Sequence, residues 1–177
     1  CSSRDELISV ASIFQTKALK GKNIAIITHA GGSAVMLTDV LSANGMFVPA
    51  LDERDTAELL THLNPGSSVA NPIDFLATGN AKQLGLIIDF CDKHPGIDGM
   101  IVVFGSPGLF NVKDVYEVLE QKMKTCQRPI YPVLPSLMNA KKEIRSFLAN
   151  RRVNFADEVS LGKALAHVQS ASKVNFY

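Results

Sequence analysis

Apolar positions along the chain alternate between two spacings. Residues 24–28 and 100–104 form nearly continuous apolar runs rich in β-branched side chains, which is typical of strands buried on both faces of a sheet. Between such runs, apolar residues recur every three or four positions, as on one face of an α-helix. The predicted strands are 23–28, 46–51, 99–104, 129–134 and 153–156. The predicted helices begin near residues 5, 34, 52, 80, 112, 140 and 157.

This alternation of strands and helices predicts the architecture. Strands separated by helices of about 10 to 15 residues pair in parallel through right-handed crossovers. We therefore expect a three-layer α/β/α sandwich, with a flavodoxin-like open parallel sheet of about five strands and helices on both faces. The polar segment 64–75 is expected to lie over the edge of the sheet. Because no linker or repeat divides the chain, residues 1–177 are predicted to form a single domain.

Composition and charge exclude several classes of protein. With 46% hydrophobic residues and a net charge of +1, the chain is neither disordered nor basic enough to suggest a nucleic-acid partner. No apolar run approaches the roughly 20 residues that span a membrane. Three cysteines without paired spacing indicate a reducing, cytoplasmic compartment, and no His or Cys spacing predicts a metal site. The chain lacks a leader-like segment and is expected to be a piece of a longer protein.

A glycine-rich loop after the first predicted strand is the most informative segment. It runs from Thr28 through His29, Ala30, and the pair Gly31 and Gly32 to Ser33. Ligands of open parallel sheets bind beyond the carboxyl ends of the strands, where the N–H groups of a following helix favour anions. A phosphate or carboxylate site is therefore predicted. The alternative is that the glycines only form a tight turn, since the loop matches neither GxGxxG nor the P-loop pattern.

Two other loops carry polar residues that could shape the same crevice. Asn71, Pro72 and Asp74 place an amide, a rigid turn and a carboxylate within four residues, although local chemistry favours the alternative of a turn with an Asx-type hydrogen bond. Gly105 and Ser106 follow the apolar run that ends at residue 104, and the alternative for them is an ordinary β-to-α turn.

The remaining histidines and serines suggest little chemistry. His29 lies inside the glycine loop, whereas His62, His94 and His167 fall within or at the end of predicted helices, where solvated or capping roles are expected. Neither Ser33 nor Ser106 lies in a GxSxG motif, so a serine hydrolase is not expected.

Three ordered motifs carry a resemblance to a known family: residues 21–32 (GKNIAIITHAGG), 71–74 (NPID) and 97–103 (IDGMIVV). Together they resemble the succinyl-CoA-ligase-like flavodoxin domain of nucleoside-diphosphate-forming acyl-CoA synthetases. The resemblance extends from the first predicted helix to about residue 168, which is nearly the whole chain.

The resemblance implies a reaction and a role for the glycine loop. Members of this family interconvert an acyl-CoA, ADP and phosphate with an acid, CoA and ATP, through an acyl phosphate and a phosphohistidine that moves between two sites. CoA, ADP or ATP and Mg are implied for the full-length enzyme, together with CoA-binding and ATP-grasp domains as partners. In this chain the implied phosphate-binding residues are Thr28, His29, Ala30, Gly31, Gly32, Ser33 and Ala34, with backbone donors at Gly31–Ala34 and a hydroxyl at Thr28.

The sequence also departs from the family pattern. The family usually has Asn where this chain has His29, and many relatives have Pro-Gly after the two glycines, where this chain has Ser33 and Ala34. His29 is expected to replace the amide as a hydrogen-bond donor; the alternative is a second titrating group. The Gly-His-Thr-Gly or Ser-His-Thr-Gly loop that carries the phosphohistidine does not occur, so the isolated chain is expected to be inactive.

The alternative function is a non-catalytic docking or regulatory module attached to a protein acetyltransferase or another partner domain. A flavin-binding role is disfavoured because aromatic residues are few and tryptophan is absent.

Overall fold

A computed structural model describes residues 1, 3–105, 112–134, 141–150 and 152–171. In these ranges the chain alternates helices with short strands, as the apolar spacing predicts. The elements are α1 Arg4–Ile13, β1 Ile24–Thr28, α2 Gly31–Ala43, α3 Glu53–Thr61, β2 Ile73–Asp74, α4 Ala81–Lys93, β3 Gly99–Val103, α5 Lys113–Thr125, β4 Ile130–Val133, α6 Lys141–Ala149 and α7 Glu158–Ala171.

The strands form one parallel sheet in the order β2-β1-β3-β4. The register pairs Thr28 with Asp74 on one side and with Val103 on the other. The carboxyl ends of β1, β2 and β3 therefore meet at the same edge of the sheet, where a ligand is expected in an open α/β fold.

Both faces of the sheet are covered by helices. Ala25 and Ile27 of β1 pack in a core with buried residues of α3, α4, α5 and α6. The alternating residues Ile24 and Ile26 pack in a second core with α1, α2 and α7. All five residues of β1 are buried, which explains the continuous apolar run in the sequence. The predicted three-layer α/β/α sandwich with an open parallel sheet is confirmed.

The strand assignments differ from the prediction at the edges. The predicted strand at 46–51 makes only an isolated bridge between Phe47 and Asn23, and the one at 153–156 only a bridge between Phe155 and Val133. Conversely, Ile73–Asp74, expected over the sheet edge, is itself the edge strand β2. The described ranges thus contain four strands rather than about five.

Three helix starts follow local capping chemistry, whereas α2 and α5, whose N-cap residues are Ala30 and Val112, have no side-chain cap. Side chains of Ser3, Asp52 and Asn80 accept hydrogen bonds from backbone N–H groups in the first turns of α1, α3 and α4, as N-cap residues do. In α2 the N-cap is Ala30, which offers no such side chain, and the helix begins at Gly31. The two glycines, predicted as a turn ahead of a helix starting at Ala34, are instead the first helical residues.

Large apolar side chains are exposed on the layer formed by α1, α2 and α7. On α1 and its C-cap, Leu7, Ile8 and Phe14 are exposed, and on α2 Val35 and Met36 are exposed. Within the described ranges, no helix combines the length and the hydrophobicity needed to cross a membrane.

Candidate functional site

The connection between β1 and α2 contains only His29 and Ala30 and is fixed by Thr28. The fully buried Thr28 hydroxyl accepts a hydrogen bond from the N–H of Ala30 at 3.0 Å and donates one to the carbonyl of Ala30 at 3.1 Å. The hydroxyl thus shapes the turn that aims α2 at the sheet edge.

The N-terminus of α2 presents backbone donors to solvent. The N–H groups of Gly31, Gly32 and Ser33 belong to the first turn, where no carbonyl of the helix can reach them. The N–H of Ala34 lies four residues after Ala30, and the carbonyl of an N-cap residue accepts the first bond of the helix. Of the four residues expected to donate, three therefore have N–H groups free of the helix.

Glycine leaves the approach to these donors uncovered. Both Gly31 and Gly32 are exposed. A Cβ atom built on Gly32 would meet no other atom within 4 Å, whereas one on Gly31 would lie 3.4 Å from Oδ2 of Asp74. The donor face is therefore open above Gly32 and bounded by a carboxylate beside Gly31.

Asp74 brings negative charge to the same sheet edge. Its Oδ1 accepts a hydrogen bond from the N–H of Leu76 at 2.9 Å, while Oδ2 faces Gly31. A carboxylate near a helix N-terminus interacts favourably with the helix dipole. The same charge opposes a second anion bound nearby, so Asp74 affects how strongly the donors of α2 can attract a phosphate.

His29 lies partly buried between the loop and β3. Its ring centroid is 4.5 Å from that of Phe104, and its buried Nδ1 has no hydrogen-bond partner among the described residues. Burial lowers the pKa of His29 below 6.5, against the opposing effects of a hydrogen bond with the Val103 backbone and the charge of Asp74. At neutral pH the ring is therefore a neutral imidazole rather than a cation.

Asn71 and Pro72 directly precede β2, and the Asn71 side chain binds the backbone of β1 rather than the glycine loop. The Asn71 side chain accepts a hydrogen bond from the N–H of Ile26 and donates to the carbonyls of Ile24 and Pro49, all at 2.9–3.0 Å. Asn71 therefore holds the first half of β1 to the 47–50 segment. Asn71 therefore affects the site only indirectly, by holding β1 in place, whereas Asp74 lies beside Gly31 at the start of α2.

The remaining wall of the crevice is partly outside the described ranges. Gly105 is described and directly follows the Phe104 that contacts His29, but Ser106 falls outside the described residues. Phe104 itself was missed as a site residue because its position at the end of an apolar run predicts only a core role. The available signal was its place at the same sheet edge as the glycine loop.

Comparisons with known proteins find relatives among the subunits of CoA ligases. No protein-family model matches the chain. The alpha subunit of ADP-forming acetate–CoA ligase II of Pyrococcus furiosus is 30% identical over 99 residues, which are 56% of this chain and 22% of the relative. The alpha subunit of ADP-forming acetate–CoA ligase I from the same organism is 23% identical over 157 residues, which are 87% of this chain and 34% of the relative. The chain therefore spans a third or less of these relatives.

Solved structures share the fold over almost the entire chain. A protein of Pyrococcus horikoshii OT3 matches 99% of this chain and 42% of its own, with a TM-score of 0.87 and 23% identity. The dinucleotide forming acetyl-coenzyme A synthetase 1 of Ca. Korarchaeum cryptofilum matches 98% of this chain and 38% of its own, with a TM-score of 0.84 and 16% identity. It has been solved in the apo form and in complex with phosphate and ADP. The chain is thus similar in sequence to part of the alpha subunits of two ADP-forming acetate–CoA ligases, and it shares its fold with part of an acetyl-coenzyme A synthetase, in agreement with the resemblance of its motifs.

Proposed function

We propose that this chain is an accessory domain of an acyl-CoA synthetase and that the N-terminus of α2 holds the phosphoryl group of a phosphohistidine. One observation carries the proposal. In a chain similar to acetate–CoA ligase alpha subunits, the first turn of α2 at the sheet edge has no side-chain cap, and its N–H groups at Gly31, Gly32 and Ser33 have no carbonyl partner within the helix, with both glycines exposed. Such a helix end binds phosphate through its free donors and its dipole.

The proposed domain binds and orients the phosphoryl group but does not form the covalent intermediate. In the full-length enzyme, a histidine nitrogen would take the phosphoryl group from the acyl phosphate and release the carboxylic acid. The same group would then pass to the terminal phosphate of ADP, giving ATP and free histidine. None of the four histidines of this chain precedes Thr-Gly, so the reacting histidine is assigned to another segment.

Nucleotide, CoA and Mg are assigned to the partner CoA-binding and ATP-grasp domains. Among the residues whose placement is described, no three His, Cys, Asp or Glu side chains come close enough to hold a metal ion. The acidic Asp74 stands alone beside the donors of α2. We therefore derive no step through Mg on this chain.

A phosphate titration tests the proposed site. Inorganic phosphate added to the 177-residue chain should produce saturable NMR shifts at the backbone amides of Gly31–Ser33. Gly32→Leu should weaken this binding at least tenfold, because the new side chain would fill the open approach above the donors. The fold should persist, since no atom lies within 4 Å of the added Cβ.

Gly85→Ala is the matched control. Gly85 lies inside α4, and a Cβ there would make only ordinary contacts at 3.5 Å with Val118 and 3.7 Å with Lys122. This variant should bind phosphate like the wild type. Unchanged phosphate affinity in folded Gly32→Leu would reject the assignment, and so would measurable acyl-CoA synthesis by the chain alone.

One observation favours the alternative of a docking or regulatory module. Leu7 and Phe14, seven residues apart and therefore on one side of α1, are 57% and 72% exposed, and the neighbouring Ile8 is 57% exposed. A partner domain that binds this side of α1 with no effect at Gly31–Ser33 would support that alternative over phosphohistidine docking.

A further inference from the structure

A cavity lies at the opposite end of the sheet from the glycine loop. It has a volume of about 400 Å³ and is formed where the end of α1, the end of α5 and the start of β4 meet residues 152 and 153. The glycine loop follows the carboxyl end of β1, whereas this cavity adjoins Pro129 and Ile130 at the amino end of β4. The two sites are therefore separated by the length of the strands.

Every charged side chain that lines this cavity is cationic. The three are Lys17, Lys124 and Arg152, in a chain whose overall net charge is only +1. The cavity between α5 and α6 is different, because Lys113 and Lys142 are accompanied there by three glutamates. The concentration of positive charge distinguishes the cavity at the amino end of β4 as a site for an anion.

The nearby carboxylates each have hydrogen-bond partners of their own. Glu120 binds Lys124 through Oε1 at 2.6 Å and Asn150 through Oε2 at 2.9 Å. Asp89 binds Lys122, and Asp92 accepts from the backbone N–H groups of residues 127 and 128. Glu120 therefore offsets part of the positive charge of Lys124 and Arg152, whereas Asp89 and Asp92 are held by groups outside the lining, so that the cations of the lining remain in excess.

Two of the cations are anchored by hydrogen bonds, and the third has a buried Nε without a hydrogen-bond partner among the described residues. Lys17 donates to the carbonyls of Lys124 and Cys126 at the end of α5, and Lys124 pairs with Glu120. Arg152 is partly buried, and its buried Nε has no hydrogen-bond partner within the part of the chain that the structure describes. A guanidinium presents a planar fork of donors that matches a carboxylate or a phosphate.

We propose that this cavity binds a small organic anion through a phosphate or carboxylate group held by Arg152 and flanked by Lys17 and Lys124. The other wall contains Met123, Ile130 and Val153, which suit the carbon portion of such a molecule. The site is independent of the proposed phosphohistidine site, because it shares no residue with the α2 N-terminus.

Two probes of the 177-residue chain test this site: inorganic phosphate and succinate, each followed by NMR at the amides of Lys17, Lys124 and Val153. At least one probe should give saturable shifts there. Arg152→Gln should weaken that binding at least tenfold, and Arg152→Lys should weaken it less. The probe that binds more tightly identifies the preferred oxyanion.

Lys93→Gln is the matched control, because it removes one positive charge from an exposed position at the end of α4. At the amides of Lys17, Lys124 and Val153 it should give the same affinities for both probes as the wild type, and so should Gly32→Leu, whose loss of phosphate binding is expected only at Gly31–Ser33. Shifts confined to Gly31–Ser33, or equal affinity in folded Arg152→Gln, would overturn this inference without affecting the proposed function. Absence of phosphate-induced shifts at Gly31–Ser33, with binding retained at the amides of Lys17, Lys124 and Val153, would reject the proposed function and support this inference.

Discussion

The environment of His29 decides what this residue can contribute. Its ring lies against Phe104 and its pKa is lowered chiefly by burial. A neutral imidazole can donate or accept a hydrogen bond, as an amide can. A neutral His29 would add no cation to the loop, as expected if it replaces the Asn that the resemblance implies at this position.

Lowering the pH should decrease the free energy of unfolding, because protonation of His29 is less favourable in the folded chain. Because its pKa in the folded chain lies below 6.5, the unfolded chain binds the proton more readily, and stability falls as the pH drops through 6.5. His29→Asn should remove this contribution. Urea unfolding of both proteins at pH 7.5 and 5.5 should show a larger loss for the wild type. The same stability difference at both pH values would contradict the prediction.

Asp74 should restrain anion binding at α2. Its Oδ2 lies 3.4 Å from the Cβ position of Gly31, so Asp74→Asn should raise phosphate affinity by roughly three- to tenfold by removing a like charge. Asn retains an oxygen to accept from Leu76. Titration of Asp39→Asn, which removes an exposed carboxylate two turns along α2, gives the control. An unchanged or lower affinity in Asp74→Asn would contradict this role.

At the scale of elements, the strands and helices were predictable where burial alone decides them. β1 and β3 are buried at every residue, so their sequences are apolar without interruption. The two-residue β2 is too short to produce a pattern. The 46–51 segment has an apolar sequence but includes Pro49, whose ring nitrogen cannot donate to a ladder. There the side chain of Asn71 makes the bonds that a neighbouring strand would make.

The Asn71 side chain should therefore contribute strongly to stability, because it joins β1 to the 47–50 segment. It is 8% exposed, adopts a positive φ of 63° and makes three hydrogen bonds to backbone groups. Asn71→Ala should destabilise the chain by about 2–4 kcal/mol, since buried backbone groups lose their partners and alanine disfavours this φ. Asn44→Ala, which removes one exposed hydrogen bond, should cost less than about 1 kcal/mol in the same urea unfolding measurement. Equal losses would contradict this assignment.

At the scale of the whole molecule, the alternation of elements was sufficient to predict the three layers, and the glycine pair indicated one site. The cavity at the amino end of β4 could not be predicted from the sequence. Its cations lie at positions 17, 124 and 152, and none of the three stands in a local motif. They meet only because α1, α5 and the segment after α6 converge at the amino end of β4. Sites assembled from distant parts of a chain become visible only in three dimensions.

The absence of a side-chain cap on α2 has a thermodynamic consequence. Ala30 does not supply the bonds that Ser3, Asp52 and Asn80 supply to their own helices, and the proposed ligand would supply them instead. A phosphoryl group bound there would complete the helix, and a ligand that binds only the folded state adds about 2.7 kcal/mol of stability at a concentration of 100 Kd. The rigidity of the domain would then rise and fall with each cycle of phosphorylation of its partner.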